Sequence, residues 1–274
     1  MLTEQMVKAG DIRLHVTEAG EGPVLVWLHG AGPGATGMSN FRQNLEAFPG
    51  FRNLVFDLPR FGRSDKPVLV RDEGEFFAAY SAPRLAAALT ELGVEHCSVI
   101  GNSNGGAVAI KLAADNPRLI GRLVLMAAAG TAPSDWDGGF TPGLLKIGEW
   151  LWNGPSEQLI REFAELQVYD PAVLTDELLA ERLERASDPE IVATNKESNL
   201  LPGDLNADMS NIGAPTLLLW GREDNFIPLE FALNALRSIP DAELRVIPRC
   251  GHWVQFEHRE RFNEMVSDFL QEQA

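Results

Sequence analysis

A serine flanked by glycines, in the segment Gly101-Asn102-Ser103-Asn104-Gly105, most constrains how this chain of 274 residues can fold. The short apolar run 98–100 precedes it and the small, apolar run 104–114 follows it, which predicts a strand and then a helix. A sharp turn between a strand and a helix exposes a serine hydroxyl, and neighbouring glycines relieve the crowding around it. The segment therefore predicts that Ser103 is a nucleophile presented at the end of a buried strand.

Two further residues are placed to activate this serine. A serine hydroxyl alone is a weak nucleophile and needs a histidine to take its proton, with a carboxylate that holds the histidine in the right tautomer. Asp224 lies in a loop after the apolar run 216–220, and His252 lies in the loop after the next apolar run, 244–247. The order along the chain is serine, acid, histidine. We therefore predict a catalytic triad of Ser103, Asp224 and His252.

Alternatives to these assignments remain at the level of sequence. Glu223 could be the acid in place of its neighbour Asp224, and Cys250 precedes His252 closely enough to suggest a thiol nucleophile. No strand-to-helix turn presents Cys250, so a small buried thiol is the favoured interpretation. His29 is expected to brace the loop that follows it rather than to react.

Acyl chemistry also needs hydrogen-bond donors for the developing oxyanion, normally the amide after the nucleophile and one from the loop after an early strand. The segment His29-Gly30-Ala31-Gly32-Pro33-Gly34 directly follows the apolar run 24–28, and its small residues let a substrate approach the backbone. The predicted donors are the amides of Ala31 and Asn104. A phosphate-binding loop is the rival interpretation, but the segment lacks a Gly-Lys-Ser/Thr ending and does not match G-x-G-x-x-G.

Apolar runs with strand character alternate with helical patterns along most of the chain. The predicted strands are 12–16, 24–28, 54–57, 98–100, 123–126, 216–220 and 244–247, and the predicted core helices are 82–92, 104–114 and a final apolar stripe from Phe262 to Leu270. This alternation indicates an α/β fold class, with a mostly parallel central sheet flanked by helices.

Residues 133–205, called the lid segment below, break this rhythm. They show no convincing strand pattern, and the stretches 144–152, 157–166 and 176–185 have helical spacing. The predicted domains are therefore an α/β core at 1–132 and 206–274 and an inserted helical lid at 133–205. Three of the six tryptophans lie in the lid segment, where they either roof a pocket or pack the segment onto the sheet.

The amino-acid composition argues against several classes of binding partner. The formal net charge is −16 at pH 7, because 39 Asp and Glu oppose 23 Lys and Arg, so a nucleic-acid partner is not expected. The two cysteines, Cys97 and Cys250, match neither a zinc pattern nor a disulfide framework, which favours a reducing cytoplasm. The first ten residues lack the features of a signal peptide, and no segment is long and apolar enough to span a bilayer, so no membrane partner is expected.

Three motifs resemble those of one known family. They are the run from His29 to Phe41 (HGAGPGATGMSNF), the residues Gly101-Asn102-Ser103, and the run from Cys250 to His258 (CGHWVQFEH). Together they resemble the meta-cleavage product hydrolases, a branch of the α/β-hydrolase superfamily that cleaves carbon–carbon bonds during the degradation of aromatic compounds. The resemblance covers the core from about residue 10 to 130 and from about 210 to the end, and the lid segment matches more loosely.

The resemblance implies a substrate and a set of contacts. The substrate is a small molecule, a dienoate with a 2-hydroxy or 2-oxo group and a second ketone, and no cofactor is implied. Asn40 and Asn102 would contact the polar end or the reacting region of the dienoate, Trp253 would line the pocket, and Arg182 would hold the carboxylate. The family often forms dimers or higher oligomers, so a homo-oligomer is an option for this chain.

Arg182 has separate support from its spacing. It falls four residues after Leu178, three after Leu179 and four before Ala186, on the apolar stripe of a predicted helix. A buried charge needs a partner, which is either a substrate carboxylate or one of the many acidic residues of the lid segment.

The chain also departs from the family pattern. Ala31 replaces a common glycine, Met38 stands where an aromatic residue is usual, and Asn104 follows the serine where methionine is frequent. These changes keep the backbone donors but alter the pocket wall. An ester hydrolase acting on a small aromatic or carboxylate-bearing ester, or on a lactone, is therefore a second hypothesis, since the same triad serves esters. A third is a non-catalytic small-molecule receptor, which would have no need of all three triad residues.

Overall fold

A single mixed sheet organises the part of the chain that the computed structural model describes, residues 2–69 and 76–271. Its eight strands are β1 (Leu2–Ala9), β2 (Ile12–Ala19), β3 (Val24–Leu28), β4 (Arg52–Phe56), β5 (Cys97–Asn102), β6 (Ile120–Met126), β7 (Thr216–Gly221) and β8 (Ala242–Ile247). Their order across the sheet is β1-β2-β4-β3-β5-β6-β7-β8. The pairs β1/β2 and β2/β4 are antiparallel and all later pairs are parallel, so the predicted α/β class is confirmed.

Helices connect and cover these strands. They are α1 (Gly37–Phe41), α2 (Phe77–Glu91), α3 (Asn104–Asp115), α4 (Pro142–Asn153), α5 (Glu157–Gln167), α6 (Asp176–Ala186), α7 (Pro189–Thr194), α8 (Asn206–Met209), α9 (Leu229–Ser238), α10 (Val254–Glu257) and α11 (Arg259–Gln271). Single 3₁₀ turns lie at Leu45–Ala47, Pro171–Val173 and Asn195–Glu197. Within the described ranges, no helix is long and apolar enough to cross a membrane.

Both faces of the central strands are buried, which explains why these strands read as continuous apolar runs. Along β3, Val26 and Leu28 belong to one apolar cluster, whereas Leu25 and Trp27 belong to a second. Successive side chains of a strand point to opposite faces, so the two clusters are the two helix-covered sides of the sheet.

The first strand is absent from the sequence prediction. β1 pairs with β2 through a tight turn at Gly10, which has a φ of +70°. It lies at the edge of the sheet, and its first five residues are exposed. An edge strand with one sparse apolar face gives no strong alternation, so its pattern looks like a polar terminus. α9, between β7 and β8, was also not predicted, although Phe231, Ala232 and Ala235 form its buried face.

Residues 133–205, all of which the structure describes, contain helices joined by irregular segments and no β-strand. α4, α5 and α6 match the three predicted helical stretches to within a few residues, and α7 was not predicted. The domain boundaries at 132/133 and 205/206 stay a prediction.

Candidate active site

The backbone at Ser103 has the strained geometry that the glycine-flanked segment predicts. Ser103 lies between β5 and α3 with φ 54° and ψ −120°, a conformation that non-glycine residues rarely adopt. Three hydrogen bonds hold it: its amide donates to the Met126 carbonyl at 2.9 Å, and its carbonyl accepts from the amides of Ala107 and Ala129, each at 3.0 Å. A Cβ at Gly105 would overlap the carbonyl of Leu28, so only glycine fits beneath the turn.

Asp224 and His252 come from neighbouring loops at the carboxyl ends of β7 and β8. Asp224 Oδ2 lies 2.8 Å from His252 Nδ1, and the two side chains are each 1% exposed. Asp224 Oδ1 accepts from the amides of Phe226 at 2.7 Å and Ile227 at 3.0 Å, which fixes the carboxylate. The Phe226 ring stacks on the imidazole with centroids 4.8 Å apart. With Nδ1 donating to the carboxylate, Nε2 is left to accept a proton.

The contacts of Glu223 and Cys250 favour Asp224 as the acid and argue against a thiol nucleophile. Glu223 accepts hydrogen bonds from the Arg222 side chain and the Cys250 amide. Cys250 is fully buried, and burial raises the pKa of its thiol far above the ordinary value. A protonated, enclosed thiol is a poor nucleophile.

The two predicted oxyanion donors lie beside Ser103. Ala31, Ser103 and Asn104 line the same cavity. Asn104 is the first residue of α3, and the first amides of a helix have no partner within the helix. Its side chain is engaged elsewhere, because Nδ2 donates to the Leu200 carbonyl at 2.9 Å. The arrangement leaves the Asn104 amide, rather than its side chain, to serve an oxyanion.

His29 braces the loop that carries Ala31, as predicted. Its Nε2 accepts from the Leu58 amide at 3.0 Å, so the neutral ring carries its proton on Nδ1, which donates to the Gly30 carbonyl at 2.8 Å. The ring is completely buried, and this burial lowers the pKa of His29.

We expect this buried histidine to make the protein sensitive to acid. Because the pKa of His29 is lower in the folded chain than its ordinary value of 6.5, the unfolded chain binds the extra proton first. Stability is then lost as the pH falls below about 6.5 and through the folded pKa, by at most about 1.4 kcal/mol per pH unit. His29→Asn should reduce the difference between the melting temperatures at pH 7 and pH 5. An unchanged difference would contradict a neutral His29.

A largely apolar cavity of about 450 Å³ opens beside Ser103. One wall is the α4 helix of the lid segment, which contributes Leu144, Ile147, Gly148 and Leu151, and another is the segment 199–202. Phe226, which stacks on His252, also lines it. The lid segment therefore helps to form the chamber in which the Ser103 hydroxyl would meet a substrate.

The tryptophans of the lid segment do not roof this cavity. Trp150 is buried, Trp152 is exposed, and the Trp136 ring packs edge-on against Phe231 with centroids 5.2 Å apart. Of the two interpretations offered by the sequence, packing is supported for Trp136 and Trp150, whereas the exposed Trp152 fits neither. Aliphatic side chains of α4, which carry no distinctive sequence signal, cover the cavity instead.

Arg182 lies in the core beneath the glycine-rich loop. It is 1% exposed, its Nε donates to the Pro33 carbonyl at 3.1 Å, and its guanidinium carbon lies 4.8 Å from the centroid of the Trp253 ring. Burial lowers the pKa of Arg182 to about 10, so it remains charged at neutral pH. Its Nη1 is buried with no hydrogen-bond partner. The structure thus brings Arg182 and Trp253 together and leaves one donor of the cation unused.

Asn40 and Asn102 are buried, and neither lines the cavity described above. Asn40 Nδ2 donates to the Thr36 carbonyl at 2.8 Å. Asn102 Nδ2 donates to the carbonyls of Met126 at 3.2 Å and His252 at 3.4 Å, which ties the serine turn to the histidine loop, while its Oδ1 has no partner. Their predicted contacts with substrate, like those of Arg182 and Trp253, stay predictions.

Two residues that tie the lid segment to the core were not identified from the sequence. The Arg60 guanidinium, in a turn after β4, donates to Thr194 Oγ1 at 3.1 Å and Asn195 Oδ1 at 3.2 Å. Glu257 accepts from the amides of Tyr169 and Gly251, each at 2.6 Å, and so joins the histidine loop to the lid segment. Glu257 lies within a quoted family motif, whereas a single arginine in a turn carries no signal.

Comparison with known proteins decides the family. A model described as the alpha/beta hydrolase family matches residues 25–265. The chain belongs to the α/β hydrolase family. The hydrolase is 37% identical over 273 residues to a 2-hydroxy-6-oxononadienedioate/2-hydroxy-6-oxononatrienedioate hydrolase of a Pseudomonas species, covering 96% of this chain and 94% of the relative. The resemblance to the meta-cleavage product hydrolases is therefore confirmed.

Two further proteins are similar over nearly the whole chain. A 2-hydroxy-6-oxo-6-phenylhexa-2,4-dienoate hydrolase of Burkholderia cepacia is 34% identical, covering 95% of this chain and 92% of the relative. The crystal structure of a serine hydrolase from the polyaromatic-hydrocarbon-degrading bacterium Cycloclasticus zankles has a TM-score of 0.88 and 28% identity, covering 98% of each chain.

Proposed function

We propose that the hydrolase cleaves a carbon–carbon bond in a 2-hydroxy-6-oxo-dienoate, with Ser103 as the nucleophile. The observation that carries the proposal is the His252–Asp224 pair, with Nδ1 and Oδ2 2.8 Å apart, which lies at the same edge of the sheet as the strained serine turn. Relatives matched over almost their full length are named as hydrolases of such dienoates, which supports this bond rather than an ester.

The first step prepares a leaving group. The dienoate gives up the proton of its 2-hydroxyl and gains one at carbon 5, with His252 assisting the transfer, so that carbon 2 becomes a ketone. This ketone can later accept the electron pair of the carbon 5–carbon 6 bond. A carbanion without such an acceptor would be too unstable to leave.

The second step breaks the bond. Ser103 Oγ attacks the carbon 6 ketone while His252 takes its proton, and the amides of Ala31 and Asn104 stabilise the oxyanion. The carbon 5–carbon 6 electron pair passes to the oxygen on carbon 2, which regains a proton from His252 and gives a 2-hydroxydienoate. Water then hydrolyses the acyl-Ser103 intermediate to a carboxylic acid, again with His252 as the base.

The carboxylate end of the dienoate is assigned to Arg182. Its buried Nη1 donor has no partner, and Trp253 lies against its guanidinium. Asn102 lies directly before the serine, and its Oδ1 is likewise without a partner. We assign Asn102 and Asn40 to the same polar end, each through the contacts that the family resemblance implies.

One comparison tests the reaction. Purified hydrolase is given a 2-hydroxy-6-oxo-dienoate, whose chromophore is lost on cleavage, and separately an uncharged aryl ester, each beside Ser103→Ala. We expect cleavage of the dienoate to exceed that of the ester in kcat/KM, and Ser103→Ala to remove most of both activities.

Two other outcomes would redirect the assignment. Esters turned over far faster than any dienoate would favour the ester hydrolase. A failure of a serine-directed fluorophosphonate to label the folded wild-type protein, with no turnover of either substrate, would favour the receptor.

We also propose a cellular setting and a subunit arrangement. Two buried free cysteines are compatible with a reducing cytoplasm, and the family resemblance is the support for a homo-oligomer. Light scattering of the purified protein measures its subunit number directly.

A further inference from the structure

The cavity beside Ser103 has an unusual chemical uniformity for a site that would serve acidic substrates. Among the residues that the structure describes, none of those lining it is Asp, Glu, Lys, Arg or His. Arg182, the buried cation near the glycine-rich loop, is not part of the lining. A charged group that entered this cavity would meet no side chain of opposite charge from residues 2–69 or 76–271.

The polar side chains in the lining already have partners inside the protein. Asn104 Nδ2 donates to the Leu200 carbonyl at 2.9 Å, and Asn199 Oδ1 accepts from the Leu201 amide at 3.0 Å. These bonds shape the segment 199–202 as a wall and engage Asn104 Nδ2 and Asn199 Oδ1 within the protein. The Ser103 hydroxyl is the nucleophile, so it does not solvate a charged substituent.

The named substrates of two relatives differ at the part that this cavity would receive. In 2-hydroxy-6-oxo-6-phenylhexa-2,4-dienoate the group on carbon 6 is an uncharged phenyl ring. In 2-hydroxy-6-oxononadienedioate carbon 6 bears a short chain that ends in a second carboxylate. Both molecules share the same dienoate end, so a difference between them reports on the cavity alone.

We infer that this hydrolase takes dienoates whose carbon 6 substituent is an uncharged aryl or alkyl group, and that it discriminates against the diacid named for its 37% identical relative. The inference rests on the proposed function and specifies the substrate class for the same site. Its physical basis is desolvation: a carboxylate a few bonds from carbon 6 would lie between Ser103 and α4, where water is displaced and none of the described lining residues supplies a cation.

For an uncharged group, transfer from water into the cavity is favourable. A phenyl or alkyl substituent loses only unfavourable contact with water when it packs against Leu144, Ile147 and Leu151. A cavity of about 450 Å³ falls in the range of sites for drug-sized ligands and accommodates a ring. The cavity therefore favours the apolar substrate both through its apolar lining and through its size.

The wild-type protein provides the primary test. We expect kcat/KM for the 6-phenyl dienoate to exceed that for the nonadienedioate by at least about 100-fold, with most of the difference removed if the diacid is methylated at its distal carboxylate. Equal values, or a preference for the diacid, would overturn the inference and leave the carbon–carbon hydrolase intact. Turnover of esters with no turnover of either dienoate would instead overturn the proposed function.

A charge placed in the cavity provides the second test. Leu144→Lys puts a cation on the α4 face that lines the cavity, whereas Leu145→Lys puts the same charge on the next residue, which is 61% exposed and does not line it. We expect Leu144→Lys to raise the ratio of diacid to 6-phenyl kcat/KM at least tenfold, and Leu145→Lys to leave it within twofold. Equal changes in the two variants would contradict a role for the cavity wall, and the wild-type comparison stands even if Leu144→Lys folds poorly.

Discussion

Asp224→Asn is expected to lower kcat about 10⁴-fold, the size of effect that loss of the orienting carboxylate has in serine hydrolase triads. Asn Oδ1 can still accept from the amides of Phe226 and Ile227, so the loop should keep its shape. Its Nδ2 would then face His252 Nδ1 in place of the carboxylate oxygen, and the imidazole would have to carry its proton on Nε2. A histidine in that tautomer cannot take the proton of Ser103.

Glu223→Gln is the matched control, since Glu223 is the neighbouring acid in the same loop. Gln keeps an acceptor for the Cys250 amide, and we expect it to change kcat less than tenfold. Stopped-flow loss of the dienoate chromophore measures both variants, and circular dichroism confirms that both are folded. A larger loss in Glu223→Gln than in Asp224→Asn would make Glu223 the acid and contradict the assignment.

The central strands and the order of the triad residues were predictable because they follow from local chemistry. A parallel strand buried on both faces must be an apolar run, and the turn after β5 must have small neighbours. The same reasoning fails for β1, whose pairing with β2 depends on a tertiary contact at the sheet edge. Propensity and pattern describe one segment at a time, whereas an edge strand is defined by its partner.

The cavity could not be predicted from sequence for a similar reason. Leu144 and Ile147 look like any apolar stripe of a helix, and only the folded chain shows that this face meets Ser103 and the segment 199–202. Asn104 is the clearest example of a contact that only the folded chain shows. The sequence shows an unusual residue after the nucleophile, but not that its side chain reaches the Leu200 carbonyl, 96 positions later in the chain.

Arg182→Gln is expected to lower kcat/KM for the dienoate about 100-fold, mainly through KM, and to change turnover of an uncharged aryl ester less than threefold. Hydrogen bonds to a charged partner contribute about 1.5–3 kcal/mol, which corresponds to a factor of roughly 10 to 150. Gln retains a donor for the Pro33 carbonyl, to which Arg182 Nε now donates at 3.1 Å. The loss of kcat/KM should therefore depend on whether the substrate carries a carboxylate, because the glycine-rich loop keeps its position.

The contrast between substrates separates binding from support of the fold. Burial lowers the pKa of Arg182 to about 10, so the charged form, although still present at neutral pH, is less stable in the folded chain than in water. Removing the charge should therefore not lower the melting temperature by more than a few degrees. Arg185→Gln, on the same helix but only half-buried, should leave both substrates unaffected. If Arg182→Gln weakens the dienoate and the ester equally, Arg182 is a structural cation. The carboxylate of the dienoate would then have to be held by other groups.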